Sequence, residues 1–183
     1  PHLTISVTAL GWVDIGQAVT RSAAQGGDLI CVSGTVGDAA FALQHLGHPL
    51  QHRLDYPTPR CELGQALKGL AHSMIDVSDG LAQDLGHILK ASHVGATLQL
   101  DQLPINTALQ DVTREQQWQY ALAGGDDYEL CFTISPQNYE KLLQQQNHSS
   151  ISVIGKIDAE IGLRFQQNGL DHSLQFNGYQ HFA

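Results

Sequence analysis

The sequence predicts a layered α+β domain, with helices packed around one mixed β-sheet. Three observations carry that expectation. Strand-like and helix-like stretches interleave through the middle of the chain, one helix shows a clear apolar face at Leu81, Leu85, Ile88 and Leu89, and the tail reads as antiparallel strands joined through Asn168-Gly169. At 183 residues the chain is long enough for a single domain with its own core. No repeat of fixed period divides it.

Taken in order, residues 3–10 alternate apolar and polar side chains, the period of a half-buried strand, and residues 15–24 suit a short helix. Residues 28–33 contain the apolar run Leu-Ile-Cys-Val of a buried strand, followed by Gly34-Thr-Val-Gly37 and a helix through residues 39–46. Glycine and proline breaks make residues 47–59 a surface loop. Thr58-Pro59 reads as a cap and first helical position, opening a helix to about residue 72. A short strand over 73–77 then runs into Ser78-Asp79-Gly80 and the helix bearing the apolar face. Residues 96–100 read as a strand, 113–120 as a helix with a capping box at Thr113 and Gln116, and 128–134 as a strand. Ser135-Pro136 caps a helix to about 146, and strands follow over 151–157, 162–166 and 170–176.

Composition narrows the function classes. With 42% apolar and 15% charged residues the chain is an ordinary globular protein. Nine basic residues against 18 acidic give a net charge of −9, which argues against a nucleic-acid partner, because a duplex reader carries a basic face. The same carboxylate excess suits a site for several divalent cations, although a solvated acidic surface accounts for most of it. Cys31, Cys61 and Cys131 are odd in number and widely spaced, so neither a disulfide framework nor a paired-cysteine metal site is indicated, and the cytoplasm is the expected compartment. No stretch approaches the roughly 18 apolar residues of a membrane span. The chain opens in a strand pattern without an initiator Met, as if cut from a longer one.

The segment Met74-Ile-Asp-Val-Ser-Asp-Gly-Leu81 carries the strongest chemical signal. An apolar strand delivers Asp76, Ser78 and Asp79 to the mouth of a helix, with Asp76 and Ser78 expected on one side. Two carboxylates and a hydroxyl beside helix N–H groups suit Mg²⁺ bound to phosphates, with the amides open to phosphate oxygens. The plainer alternative makes Asp79 a helix cap, which leaves Asp76 unexplained. In Gly124-Gly-Asp-Asp-Tyr-Glu129 a glycine pair could let backbone approach a ligand beside Asp126, Asp127 and Glu129, or the stretch could be a solvated acidic turn. Arg21 could clamp phosphate or lie on the surface. Gly34-Thr-Val-Gly37 lacks the Gly-Lys-Ser/Thr ending of a phosphate loop and reads as a tight turn. Gly47 and Pro49 break any helix that would align His45, His48 and His52 on a metal. Tyr179 could stack on an aromatic ring or pin the C-terminus.

Eight segments, among them Arg21-Ser-Ala-Ala24, Ser33-Gly-Thr-Val-Gly-Asp38, Pro57-Thr-Pro-Arg60, Ile75-Asp-Val-Ser-Asp-Gly-Leu81, Gly124-Gly-Asp-Asp-Tyr-Glu-Leu130 and Gly178-Tyr-Gln-His-Phe182, occur in the order found in thiamine-monophosphate kinases. The chain resembles the C-terminal portion of that family, within the wider aminoimidazole-ribonucleotide-synthetase-like superfamily. The resemblance implies that Asp76 and Asp79 are Mg²⁺ ligands, that Ser78 and Arg21 touch ATP, and that Asp126 and Tyr179 face thiamine monophosphate. At position 126 the family often has Glu, one methylene longer. The resemblance also implies ATP as co-substrate, a homodimeric full-length protein, and a nucleotide- and metal-binding N-terminal domain with no counterpart in residues 1–183. The expected outcome is a single C-terminal domain that is inactive alone. The rival expectations are another synthetase of the superfamily and a non-catalytic domain that binds a ligand or partner.

Overall fold

The computed structural model of the chain describes residues 3–145 and 150–174. Seven strands form one mixed sheet: β1 (Leu29–Ser33), β2 (Ala71–Val77), β3 (Gly95–Gln99), β4 (Glu129–Ile134), β5 (Ile151–Asp158), β6 (Gly162–Gln167) and β7 (Leu170–His172). Their order across the sheet is β2-β4-β1-β5-β3-β6-β7. β3 and β6 run parallel, and every other neighbouring pair is antiparallel. The apolar run of β1 explains its place near the centre, where strands are covered on both faces.

The helices are α1 (Asp38–Gln44), α2 (Gln51–Asp55), α3 (Cys61–Ala66), α4 (Leu81–Ser92), α5 (Arg114–Ala123) and α6 (Pro136–Gln144). One sheet face packs Ile30, Val32, Ile75 and Val77 against α4 and α5 through Leu81, Leu85, Ile88, Trp118 and Leu122. Alternation along the strands sends Cys31, Phe132 and Ile134 to the other face, where they meet Leu63 of α3, Leu67 and Leu142 of α6. A smaller cluster of Phe41, Ala42, Leu50 and Leu109 seats α1 and α2. All four apolar residues expected on α4 are buried. Each such burial contributes about 1.5–3 kcal/mol, so this stripe fixes α4 across the sheet. None of the helices in the described residues is long and apolar enough to cross a membrane.

The local expectations hold where a cap or a periodic face specified them. Thr113 and Gln116 form both arms of the capping box on α5, and Ser135 caps α6 with Pro136 in its first turn. Asn168 and Gly169 both take positive φ in the turn between β6 and β7. Other expectations fail. Residues 3–10 form no strand and 15–24 no helix: Leu3, Ile5, Val7 and Leu10 are exposed, because alternation makes a strand only when a neighbouring strand accepts its hydrogen bonds. Thr20 reaches the sheet in a parallel bridge to Ser73 of the edge strand β2, and Ala24 packs into the core beneath it. The supposed loop 47–59 contains α2, held down by Leu50 and Leu54 on Phe41 and Ala42. Thr58-Pro59 does not open a helix. α3 starts after Arg60, whose side chain turns away to a carboxylate, and it ends at Ala66 because β2 already begins at Ala71. Residues 146 and 176, the expected ends of α6 and of the last strand, lie outside the described residues.

Candidate active site

Two chain segments meet where β2 ends and β4 begins, next to α4. The first is the turn from Val77 into α4. Asp84, in the first turn of α4 and buried, accepts hydrogen bonds at its Oδ2 from the backbone N–H groups of Ser78 and Asp79, each at 3.0 Å. Those two amides are therefore engaged within the protein, which corrects the expectation that they are open to phosphate oxygens. The N-cap of α4 is Gly80, and no side chain caps it, so Asp79 is not a helix cap. Its carboxylate instead accepts from Gln83 Nε2 at 3.3 Å. Gly80, at φ 117°, lies so close to the backbone of Leu122 and Ala123 that a side chain would crowd the end of α5.

The second segment links α5 to β4. Asp126 N–H donates to Ser78 O at 3.0 Å and Tyr128 N–H to Val77 O at 2.8 Å, which stitches the loop to the end of β2. The glycine pair serves this approach rather than a ligand's: a side chain at Gly125 would collide with Ser78 O, and one at Gly124 with Tyr120 O. Side chains along the loop alternate. Asp126 and Tyr128 face outward, while Asp127 and Glu129 are buried. Asp127 accepts from the N–H of Gly37 at 2.6 Å and of Ala39 at 3.2 Å. Burial pushes its carboxyl up to about 7, against those two bonds, which favour the ionised form.

The Tyr128 hydroxyl donates to Asp126 Oδ1 at 3.4 Å. Partial burial raises the Tyr128 hydroxyl above its ordinary value, and the charges of Asp126, Asp76 and Asp79 raise it further. Tyr128 lines two cavities. One, of about 460 Å³, is bordered by Ser78, Asp79, Gly125 and Asp126, and the other, of about 280 Å³, by Pro57, Pro59, Arg60 and Asp76. Asp76 and Ser78 thus line separate cavities instead of sharing a side, because Ser78 already belongs to the turn. Among the described residues no group of three or more His, Cys, Asp or Glu side chains has the arrangement of a metal site. Asp76 lines the cavity beside Pro57, Pro59 and Arg60, and Asp79 the one beside Ser78.

Of the remaining candidates, Arg21 is exposed and lies at the other end of α4, where its carbonyl accepts from Ser92 Oγ. A helix of 12 residues puts that end roughly 18 Å from Ser78. Tyr179 lies outside the described residues. Gly34 and Gly37 form the tight turn into α1. His45, His48 and His52 are each bonded to nearby backbone through Nδ1. The sequence reading missed Asp84 and the separate roles of Asp127 and Glu129. Asp84 carried a readable signal, a carboxylate three residues after Leu81 on the core-facing stripe of α4.

The fold and this site have known counterparts. Residues 27–167 match the family model described as AIR synthase related protein, C-terminal domain. The chain is 43% identical over 198 residues to thiamine-monophosphate kinase of Haemophilus influenzae, covering 99% of this chain and 60% of that protein. The crystal structure of thiamine-monophosphate kinase from Stenotrophomonas maltophilia K279a superposes with a TM-score of 0.79 at 41% identity, over 87% of this chain and 56% of the other. A structure of AaThiL complexed with AMPPCP and TMP gives a TM-score of 0.71 at 27% identity, over 90% of this chain and 54% of the other. The chain thus spans less than two thirds of the length of these relatives.

Proposed function

Because the chain belongs to the family of AIR synthase related protein C-terminal domains, we propose that it is the C-terminal part of an ATP-dependent kinase acting on thiamine monophosphate. The whole protein would transfer the γ-phosphoryl group of ATP to the substrate's phosphate, giving thiamine diphosphate and ADP. The observation that carries this reading is the placement of Asp76 in one cavity lined by Tyr128 and of Asp79 and Asp126 in the other, at the end of β2. The relatives named thiamine-monophosphate kinase support it, as does the neighbour that holds AMPPCP, an ATP analogue, together with TMP.

An oxygen of the acceptor phosphate attacks the γ-phosphorus while the bond to the ADP oxygen breaks, so no protein nucleophile is needed. Donor and acceptor are both anions. Mg²⁺ bound at Asp76 and Asp79 would supply charge neutralisation and alignment. Ser78 would orient a phosphate oxygen through its hydroxyl. With the phosphates at Ser78, Arg21 would meet the nucleotide at its far end, some 18 Å away. Asp126 would face thiamine monophosphate, its shorter side chain reaching through water where the family often has Glu. Tyr179 would stack on the substrate ring.

Residues 1–183 would act as one C-terminal domain of a cytoplasmic homodimer, joined to an N-terminal nucleotide- and metal-binding domain. The alternating apolar residues at 3–10 would complete their strand against that domain. The test is a coupled assay of thiamine diphosphate formation by the full-length protein and by residues 1–183. Turnover by the full-length protein and none by the fragment is expected, since phosphoryl transfer depends on complete positioning. No turnover by the full-length protein refutes the kinase reading, and turnover by the fragment refutes the division of labour.

A further inference from the structure

Beneath the 126–128 loop lies a charge cluster that touches neither cavity's carboxylates. Glu129 is fully buried. Its Oε1 accepts from Arg53 Nη2 at 2.7 Å and Arg60 Nη2 at 2.5 Å, and its Oε2 from Arg60 Nε at 2.7 Å and Ser33 Oγ at 2.5 Å. A carboxylate offers about four lone-pair sites, so these four bonds leave none for a metal or a substrate. Ser33 Oγ in turn accepts from Leu130 N–H at 2.9 Å, and Arg53 Nε lies 3.4 Å from Asp38 Oδ2. Gly34 packs so tightly on the Glu129 carboxylate that no side chain fits there.

The cluster joins three stretches of chain far apart in sequence. Ser33 belongs to β1, Glu129 follows directly on Tyr128, and Arg60 ends the 57–60 stretch that walls the cavity beside Asp76. The loop it underlies is not at rest by itself: Asp126 and Tyr128 have φ of 67° and 51°, a region that non-glycine residues occupy only when their surroundings hold them. Asp127 is fastened two residues before Glu129. Fastened and outward-facing residues thus alternate from 126 to 129.

We propose that Glu129, gripped by the Arg60 guanidinium fork and by Arg53, is a positioning residue that holds the 126–128 loop, with Tyr128 beside Asp76, and fixes the wall of their shared cavity at residues 57–60. The ligand-facing role of Asp76 and Asp126 rests on the kinase reading above; the mechanical role of the clamp does not.

The test uses Arg60→Lys, which keeps the charge and loses the fork. In residues 1–183, amide hydrogen exchange at Asp126 and Tyr128 should quicken about tenfold or more, while Ile30 and Thr133 in the central ladder keep their protection. In the full-length protein, assayed well below the variant's lowered melting temperature, the same substitution should raise KM for thiamine monophosphate about tenfold with a smaller change in kcat. Unchanged exchange at 126 and 128, an equal rise at Ile30 and Thr133, or an unchanged KM overturns the proposal. If Arg60→Lys does not fold, Ser33→Ala removes one of the four carboxylate bonds and should give the same pattern at smaller size. If wild-type full-length protein makes no thiamine diphosphate, the kinase reading fails, while the exchange measurement still decides the clamp.

Discussion

Removing the Asp84 carboxylate should loosen the turn that carries Ser78 and Asp79, and Asp84→Ala measures by how much. Asp84 is 2% exposed, and its Oδ2 receives two backbone N–H groups at 3.0 Å. Bonds to a charged acceptor contribute about 1.5–3 kcal/mol each, so two set a ceiling of about 3–6 kcal/mol. The loss is smaller than that ceiling, because the substitution also relieves a buried charge. Burial raises this carboxyl above its ordinary value, the bonds from Asp79 and Ser78 lower it, and the neighbouring charges of Asp79 and Asp76 raise it. A net loss of about 2–3 kcal/mol is expected at neutral pH, or about 4–12 °C in melting temperature for a domain of this size. The sign of its pH dependence follows from the raised value. The folded state binds the Asp84 proton more readily than the unfolded state, so this group's contribution falls as pH rises from the ordinary carboxylate range through the raised value. The gap between wild type and Asp84→Ala should therefore widen on acidification across that window. Urea melts of both proteins in steps from pH 7 to pH 4 measure it. A loss under about 0.5 kcal/mol, typical of an uninvolved surface position, or a gap that narrows on acidification, refutes the reasoning.

Asp127, pushed up to about 7 by burial, should make wild type lose stability as pH rises from about 4 to about 7, and Asp127→Asn should flatten that slope in urea melts. Asp79→Asn and Asp76→Asn should leave melting nearly unchanged, since Gly80 occupies the N-cap and Asp76 is exposed, while kcat of the full-length protein falls by orders of magnitude. Retained turnover in both removes them from the metal site. Trp118→Ala, at a side chain 1% exposed between α5 and the sheet, should cost about 3–5 kcal/mol by denaturant melts, and a loss below 1 kcal/mol would show that the core is not centred there.

The sheet, α4 and the capped helices were legible because each announces itself within about ten residues: an apolar run in β1, a stripe on α4, Thr113 with Gln116, Ser135 with Pro136. The errors share a physical cause. Residues 3–10 have the alternation of a strand, but alternation does not supply a neighbour. Thr58-Pro59 has the chemistry of a helix start, but Glu129, 69 residues beyond Arg60, draws the Arg60 side chain away. Likewise the glycine pair at 124–125 was visible as a place of close approach, yet what approaches is Ser78 O and Tyr120 O, which only the folded chain brings there. Ser78, Asp79 and Asp126 border one cavity although they come from two stretches the sequence shows apart, and neither that meeting nor the separation of Arg21 was legible, since both depend on which end of α4 each segment meets.

The acidic residues around the site divide according to what the domain itself needs. Asp84, Asp127 and Glu129 are buried and bonded to backbone N–H groups or to guanidinium and hydroxyl groups, and each fastens one segment to another. Asp76 and Asp126 stay exposed and Asp79 is half-buried, and the charge of each pushes the Tyr128 hydroxyl up. Like charges gathered at one point raise the free energy of the folded chain unless a cation or solvent offsets them. A divalent cation held there, as the kinase reading requires, would offset that repulsion. Mg²⁺ should therefore raise the melting temperature of wild type more than that of Asp76→Asn, even in residues 1–183 with no nucleotide present. Equal shifts in the two proteins would mean that the carboxylates are merely solvated.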